Sequence, residues 1–147
     1  MPKRRTNGAL AAYRLEAQIG FVLRKAQQRA TAIFMRHFGR HQVTPTQWTT
    51  LVRIHEFGSL SQNHLGRLTA MDPATIQGVV QRLIERGLVT RIPDPLDRRR
   101  KRLGLTPAGQ RLVRRLVAKA YKVSRDTLEP LAKREQALIE NLLARLG

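Results

Sequence analysis

The side chains of this chain best suited to act on a partner are hydrogen-bond donors and cations gathered between residues 75 and 102. Thr75, Gln77, Gly78, Gln81 and Arg82 fall on one face of a helical stretch whose other face repeats Ile76, Val79, Val80, Leu83 and Ile84. Hydrogen-bonding groups without negative charge in the first turns of a helix suit the base edges of a DNA major groove, and the acid Glu85 lies farther along. Arg91 and the run Arg98-Arg99-Arg100-Lys101-Arg102 follow. The span from Arg91 to Arg102 holds six basic and two acidic residues, a pattern that suits phosphates or a narrow minor groove. Arg98 and Arg99 are the expected deepest contacts.

Other chemistries find little support. The chain has no cysteine, which removes disulfides, thiolate metal sites and switching by thiol oxidation. His37 and His41 have the i, i+4 spacing of a two-imidazole metal site, but Gly39 interrupts the helix between them and Arg36 and Arg40 repel a cation. No nucleotide-binding glycine loop, nucleophile elbow or paired-carboxylate motif is present, so the sequence reads as a non-enzyme without cofactor or metal. Across the 147 residues, 28 Lys and Arg stand against 10 Asp and Glu, a formal charge of +18 that favours a polyanionic partner. Isolated charges such as Lys119, Lys122 and Arg134 read as solvated surface.

The elements that would position these side chains are marked by local chemistry. Asp72 caps, Pro73 fits the first helical position and Gly87 fits a left-handed stop, so a helix is expected from about Pro73 to Arg86. Ser61 to Thr69 forms the preceding helix, and Ala70-Met71 leave only a tight turn, which is helix-turn-helix spacing. Leu88 to Ile92 and Leu103 to Leu105 are short apolar pieces around Pro93-Asp94-Pro95-Leu96-Asp97 and the arginine run, and predict a two-stranded wing with a basic tip.

Three blocks carry a family resemblance. They are Arg82-Leu83-Ile84-Glu85-Arg86-Gly87-Leu88-Val89-Thr90-Arg91, then Asp94-Pro95-Leu96-Asp97-Arg98-Arg99, then Leu105-Thr106-Pro107-Ala108-Gly109. With the helical flanks, the chain resembles the MarR family of winged helix-turn-helix regulators over nearly its whole length. The resemblance implies a homodimer, one winged domain per subunit, bound to a palindromic site on double-stranded DNA and released by a small molecule. It implies that Asp97 braces wing arginines, leaving DNA contacts to Arg98 and Arg99. Gly78 departs from the pattern, since relatives often carry a polar or basic side chain there; a glycine lets the backbone approach closely instead.

The fold class expected is therefore mainly α with a small β-hairpin wing, a winged helix-turn-helix flanked by long dimerisation helices. We divide the chain into a disordered basic arm over 1–8, dimerisation helices over 9–43 and 107–147, and the DNA-binding region over 44–106. The arm carries Lys3, Arg4 and Arg5, which either meet phosphates or simply fray. Leu10 to Phe38 reads as one long helical segment. Thr106-Pro107 opens a helix with Leu112, Val113, Leu116, Val117, Ala120 and Tyr121, and Pro130 starts a last one with Leu131, Leu138, Leu142 and Leu146. These stripes pack on a second copy or fold back on their own subunit. Thr44, Pro45 and Gln47 read as a capping box that opens the helix of Trp48.

An effector site is expected where Phe34, Phe38 and Trp48 come close in sequence to Arg36, His37, Arg40 and His41, because rings and cations together suit an anionic aromatic ligand. An aromatic carboxylate or its coenzyme A thioester would place its acid or phosphates on Arg36 or Arg40 and its ring on Trp48. Each ring taken alone also reads as core. No apolar run is long enough to span a membrane, and a cytoplasmic protein is expected. Two other functions fit the same residues: an architectural protein that coats DNA by charge, and an effector-binding protein whose winged domain contacts proteins.

Overall fold

A computed structural model describes residues 8–147. Seven helices are present among them: α1 (Gly8–Ala12), α2 (Ile19–Phe38), α3 (Pro45–Phe57), α4 (Gln62–Leu68), α5 (Pro73–Glu85), α6 (Pro107–Leu128) and α7 (Lys133–Ala144). Three short strands complete it: β1 (Ser59–Leu60), β2 (Val89–Pro93) and β3 (Lys101–Leu105). The basic arm proposed for 1–8 lies outside the described residues except for Gly8, which opens α1.

The starts of α3 and α5 follow the caps read from sequence, and α4 begins on a further one. Thr44 Oγ1 accepts from Gln47 N at 3.2 Å while Thr44 N donates to Gln47 Oε1 at 3.1 Å, closing both ends of the α3 box. Ser61 caps α4 through His64 N at 3.3 Å, and Asp72 caps α5 through Thr75 N at 2.9 Å and Thr75 Oγ1 at 2.7 Å. α5 buries Ile76, Val79, Val80 and Leu83 against α3 and α4, then stops at Gly87 with φ of 67°. Phe38, Val43, Leu51, Ile54, Leu65, Val80, Leu83 and Leu116 share one core. Each fully buried Leu, Ile or Phe among them contributes about 1.5–3 kcal/mol of transfer free energy.

Three sequence expectations are corrected. The wing belongs to a three-stranded antiparallel sheet of order β1-β3-β2, with Ser59 opposite Gly104 and Leu60 opposite Leu103. β1 is too short to show alternation; it is held because Arg102 Nη2 donates to Ser59 O at 2.6 Å and Arg102 Nε to Ser59 Oγ at 3.0 Å. The segment from Leu10 to Phe38 is not one helix: a 3₁₀ turn at Leu15–Ala17, flanked by extended Arg14 and Gln18, separates α1 from α2. Leu10 and Tyr13 are 75% and 56% exposed, so nothing within the subunit holds this stretch in a continuous helical register. The last helix starts at Lys133, because Ala132 N donates to Glu135 Oε2 at 2.7 Å and Leu131 N turns back to Leu128 O at 2.9 Å. Pro130 thus lies in the turn after α6, and Leu131 and Leu146 fall outside α7.

α6 joins the parts. At 100° per residue its side chains sort onto three faces: Leu112, Val113 and Leu116 are buried, Val117 and Tyr121 are exposed apolar, and Arg111, Arg115 and Lys119 are cationic. Its N-terminus is locked to the end of the recognition region. Thr106 N donates to Leu88 O at 3.1 Å, Thr106 Oγ1 donates to Gly87 O at 2.6 Å, and the same Oγ1 accepts from Gly109 N at 3.1 Å. Gly109 packs so closely that a Cβ there would stand 2.1 Å from Leu88 O. Backbone cannot yield as a flexible side chain does. Gly109→Ala is expected to destabilise the protein by about 3 kcal/mol, read as a lowered denaturant midpoint at unchanged slope; a loss below about 1 kcal/mol would show that the junction can relax.

Farther along, α6 is tied to α2 by polar contacts. His37 Nε2 lies 2.8 Å from Asp126 Oδ2, and Arg29 Nη2 donates to Asp126 O at 3.0 Å. The hydrogen bonds from His37 and then Arg125 hold the Asp126 carboxyl below its ordinary value of 3.8. A depressed carboxylate contributes stability above its unfolded pKa and loses it as pH falls through the folded one. Stability should therefore drop in acid below pH 3.8, and Asp126→Asn should flatten that part of the pH profile; an unchanged slope in the variant would remove Asp126 as its source.

Candidate nucleic-acid interface and effector cleft

The residues expected to read DNA are brought together. Thr75, Gln77, Gln81 and Arg82 are exposed on α5 opposite its buried stripe. Among the described residues, the Thr75 side chain hydrogen-bonds only to its own cap and Gln81 only to Glu85, at 3.0 Å. The hydrogen bonds from the Thr75 backbone and hydroxyl lower the Asp72 pKa, so the cap carries negative charge at the positive end of the helix dipole. Gly78 is half-buried, yet a Cβ there would meet nothing within 4 Å. The protein's own packing makes no demand for a glycine at this position.

The wing turn consumes its own acids. Asp97 Oδ1 accepts from Arg99 N at 3.0 Å and from Arg99 Nε at 3.4 Å, and its Oδ2 lies 3.8 Å from Arg100 Nε. Asp94 Oδ1 accepts from Leu96 N at 2.8 Å, and Asp94 Oδ2 lies 3.8 Å from Arg102 Nη1. These contacts fix the turn with the side chains of Arg98, Arg99 and Arg100 outward. The Arg99 side chain is 92% exposed. Arg91 and Arg98 are exposed and have no carboxylate within 4 Å among the described residues. A groove between the wing and the start of α4 brings Lys101 of the basic run together with Asn63 and His64, which the sequence does not single out.

The effector residues are separated. Phe38 is fully buried, stacked on Phe34 at 4.1 Å between ring centroids and edge-on to Trp48 at 5.1 Å, so its ring is core. Phe34 and Trp48 do line a cleft of about 230 Å³, with Pro45, Thr49, Ala120, Val123 and Ser124 completing its wall. Arg36 and Arg40 are exposed and do not line it; the polar side chains at its wall are the hydroxyls of Thr49 and Ser124. His41 lies elsewhere, in a second cleft with Arg86 and two arginines of α6. The wall from α6 had no signal in sequence, because Ala120 read only as part of an apolar stripe and Val123 was not singled out. His37 faces Asp126 instead of a metal, and no cluster of three or more metal-ligating side chains occurs among the described residues. No described helix is long and apolar enough to cross a membrane.

A recognition-type helix capped at its N-terminus, a preceding helix across a tight turn and a basic wing define a winged helix-turn-helix DNA-binding protein. The sequence profile of the MarR family matches residues 41–100. The chain is 39% identical to the HTH-type transcriptional repressor NicR of Pseudomonas putida, over 91% of this chain and 85% of NicR. It superposes on the crystal structure of a probable transcriptional regulator from Pseudomonas aeruginosa with a TM-score of 0.87 at 51% identity, covering 91% of this chain and all of that one. BpsR of Bordetella bronchiseptica, whose DNA binding is regulated by 6-hydroxynicotinic acid, gives 0.86 at 34% identity over 91% of this chain and 96% of its own. The chain belongs to the MarR family of transcriptional regulators.

The open space at Gly78 separates two effects that normally travel together. Gly78→Ala is expected to raise fold stability by roughly 0.5–1 kcal/mol through helix propensity, and to weaken operator binding if the helix backbone nears the DNA at this glycine. Thermal melting and operator titration of the same variant check this; tighter or unchanged DNA binding would assign the glycine no part in the approach.

Proposed function

We propose that the chain is a transcriptional repressor that binds a palindromic operator as a homodimer and is released by a single-ring aromatic acid. The observation that carries the reading is the placement of the Phe34–Trp48 cleft. Its walls come from α2, from α3 of the winged region and from α6, whose first turn is locked to the end of α5. A ring wedged there bears on the same helix that fixes the recognition helix. The regulation of BpsR by 6-hydroxynicotinic acid supports an aromatic acid. The volume of about 230 Å³ suits one ring, whereas a coenzyme A tail would lie outside the cleft.

Dimerisation is supported by apolar side chains that the subunit leaves uncovered. Ile19 is 65% exposed, Tyr121 75% and Leu138 56%, on α2, α6 and α7, the helices outside the winged region. Two-fold symmetry would set the recognition helices in successive major-groove faces roughly 34 Å apart. Thr75, Gln77, Gln81 and Arg82 would then meet base edges, Gly78 the close backbone approach, and Arg91, Arg98, Arg99 and Arg100 the phosphates and minor groove. Ligand acts by linkage: it binds better to the dimer whose helices are wrongly spaced, and about 1–3 kcal/mol of coupling gives a five- to hundredfold loss of DNA affinity.

Selection of sites from a random duplex pool, at ionic strength of about 0.15 M and with or without 6-hydroxynicotinate, tests the reading. An enriched palindrome whose binding is weakened by the acid is expected. Trp48→Ala should keep the palindrome and lose the response. Tight binding without enrichment would replace the proposal with a charge-driven architectural protein, and an acid response unchanged in Trp48→Ala would remove the cleft as its site.

A further inference from the structure

A second cleft, of about 320 Å³, opens on the other side of α6, where the recognition helix ends. It is lined by His41 from the turn after α2, Arg86 and Leu88 from the end of α5, and Ala108, Arg111, Leu112 and Arg115 from α6. Arg86 is committed to structure: its Nη1 donates to Gln42 O at 2.5 Å and its Nη2 to His41 O at 3.2 Å, which pins the recognition helix to the α2–α3 linker. Arg111 and Arg115 make no side-chain hydrogen bond and have no carboxylate within 4 Å among the described residues. They stand at i, i+4 on one face of α6, and Lys119 continues the row at i+8. Like charges at this spacing destabilise a helix, so the row is sustained against its own repulsion.

We infer that this cleft is a phosphate-binding site, in which Arg111 and Arg115 hold the anion against a floor of Leu88, Ala108 and Leu112, and His41 donates from the opposite wall. Paired guanidinium groups match the oxygens of a phosphate, and an apolar floor strengthens such contacts by excluding water. His41 reports how strongly cations converge there. Its pKa is lowered by burial first, then by Lys119, Arg115 and Arg40, and Arg86 and Arg111 share the same cleft. An anion between these groups reverses the repulsion and raises the pKa of the imidazole, so binding takes up a proton and tightens as pH falls through the titration of His41.

The phosphate has two possible sources, a small soluble phosphate or the backbone of bound DNA. Placement favours the first. The DNA-facing side chains run from Thr75 to Arg82 on the outer face of α5, whereas Arg86 follows the helix and is turned to the α2–α3 linker by its bonds to Gln42 O and His41 O.

The experiment follows the His41 ring resonance against pH in the free protein, assigned with His41→Gln, using inorganic phosphate or chloride at equal ionic strength. Phosphate is expected to move the titration to higher pH, and the double variant Arg111→Gln, Arg115→Gln to abolish that movement with an unchanged circular dichroism spectrum. A second arm adds duplex DNA carrying the selected site. Movement by duplex but not by phosphate, with a lower salt slope of DNA binding in the double variant, assigns the site to the DNA backbone. Equal movement by phosphate and chloride with no effect of duplex, or movement that persists in the double variant, overturns the site.

Discussion

The structure depends on one place where two backbones touch without a side chain between them. The first turn of α6 lies against the Leu88 carbonyl because Gly109 has no Cβ, and Thr106 stitches the same turn to Gly87 and Leu88. Leu88 follows the glycine that ends α5 and precedes β2, so the recognition helix, the sheet and the long helix meet within a few residues. A close-packed backbone contact transmits displacement, since neither side can be compressed. A tilt of α6 would be passed to the end of α5, and the apolar cleft between α2, α3 and α6 lies along the same helix.

Charge follows a related economy. The carboxylates of the DNA-binding half hold turns in shape: Asp72 caps α5, and Asp94 and Asp97 brace the wing. Arg99, Arg100 and Arg102 pair with the wing acids, while Arg91 and Arg98, like Arg67 and Arg82, have no acidic partner among the described residues. An excess of 28 basic over 10 acidic residues is therefore concentrated as field on the outward faces, with few internal pairs to neutralise it. Surface pairs contribute little to stability in any case, so leaving them unmade has little cost to the fold.

Most of the fold was legible wherever the signal was local. The caps at Thr44 and Asp72, the opening of α6 at Thr106-Pro107 and the stop at Gly87 each depend on neighbours within a few residues, and each stands where the sequence places it. The interruption at Leu15–Ala17 and the start of α7 at Lys133 were not legible, because apolar spacing continues through both and only the backbone bonding of Gln18 and Ala132 reveals the breaks. β1 was hidden because two residues show no alternation and its partner strand lies more than forty residues away. The cleft was half legible: Phe34 and Trp48 were evident as rings, but proximity in sequence misplaced Arg36 and Arg40, which the turn of the helix carries to the outside, and Phe38, which it carries inward.

The outward side chains of α5 hold nothing else in place. Gln77 and Arg82 make no contact that the core requires, and Gln81 touches only a glutamate on its own helix. The lettering of the helix is thus separable from its frame. Substitutions there are expected to cost the fold almost nothing, whereas the buried stripe and the glycine junction tolerate little change. A scaffold divided in this way lets the outward side chains of α5 change one at a time while the cleft between α2, α3 and α6 is left as it is, and the same division lets a designer alter the two surfaces independently.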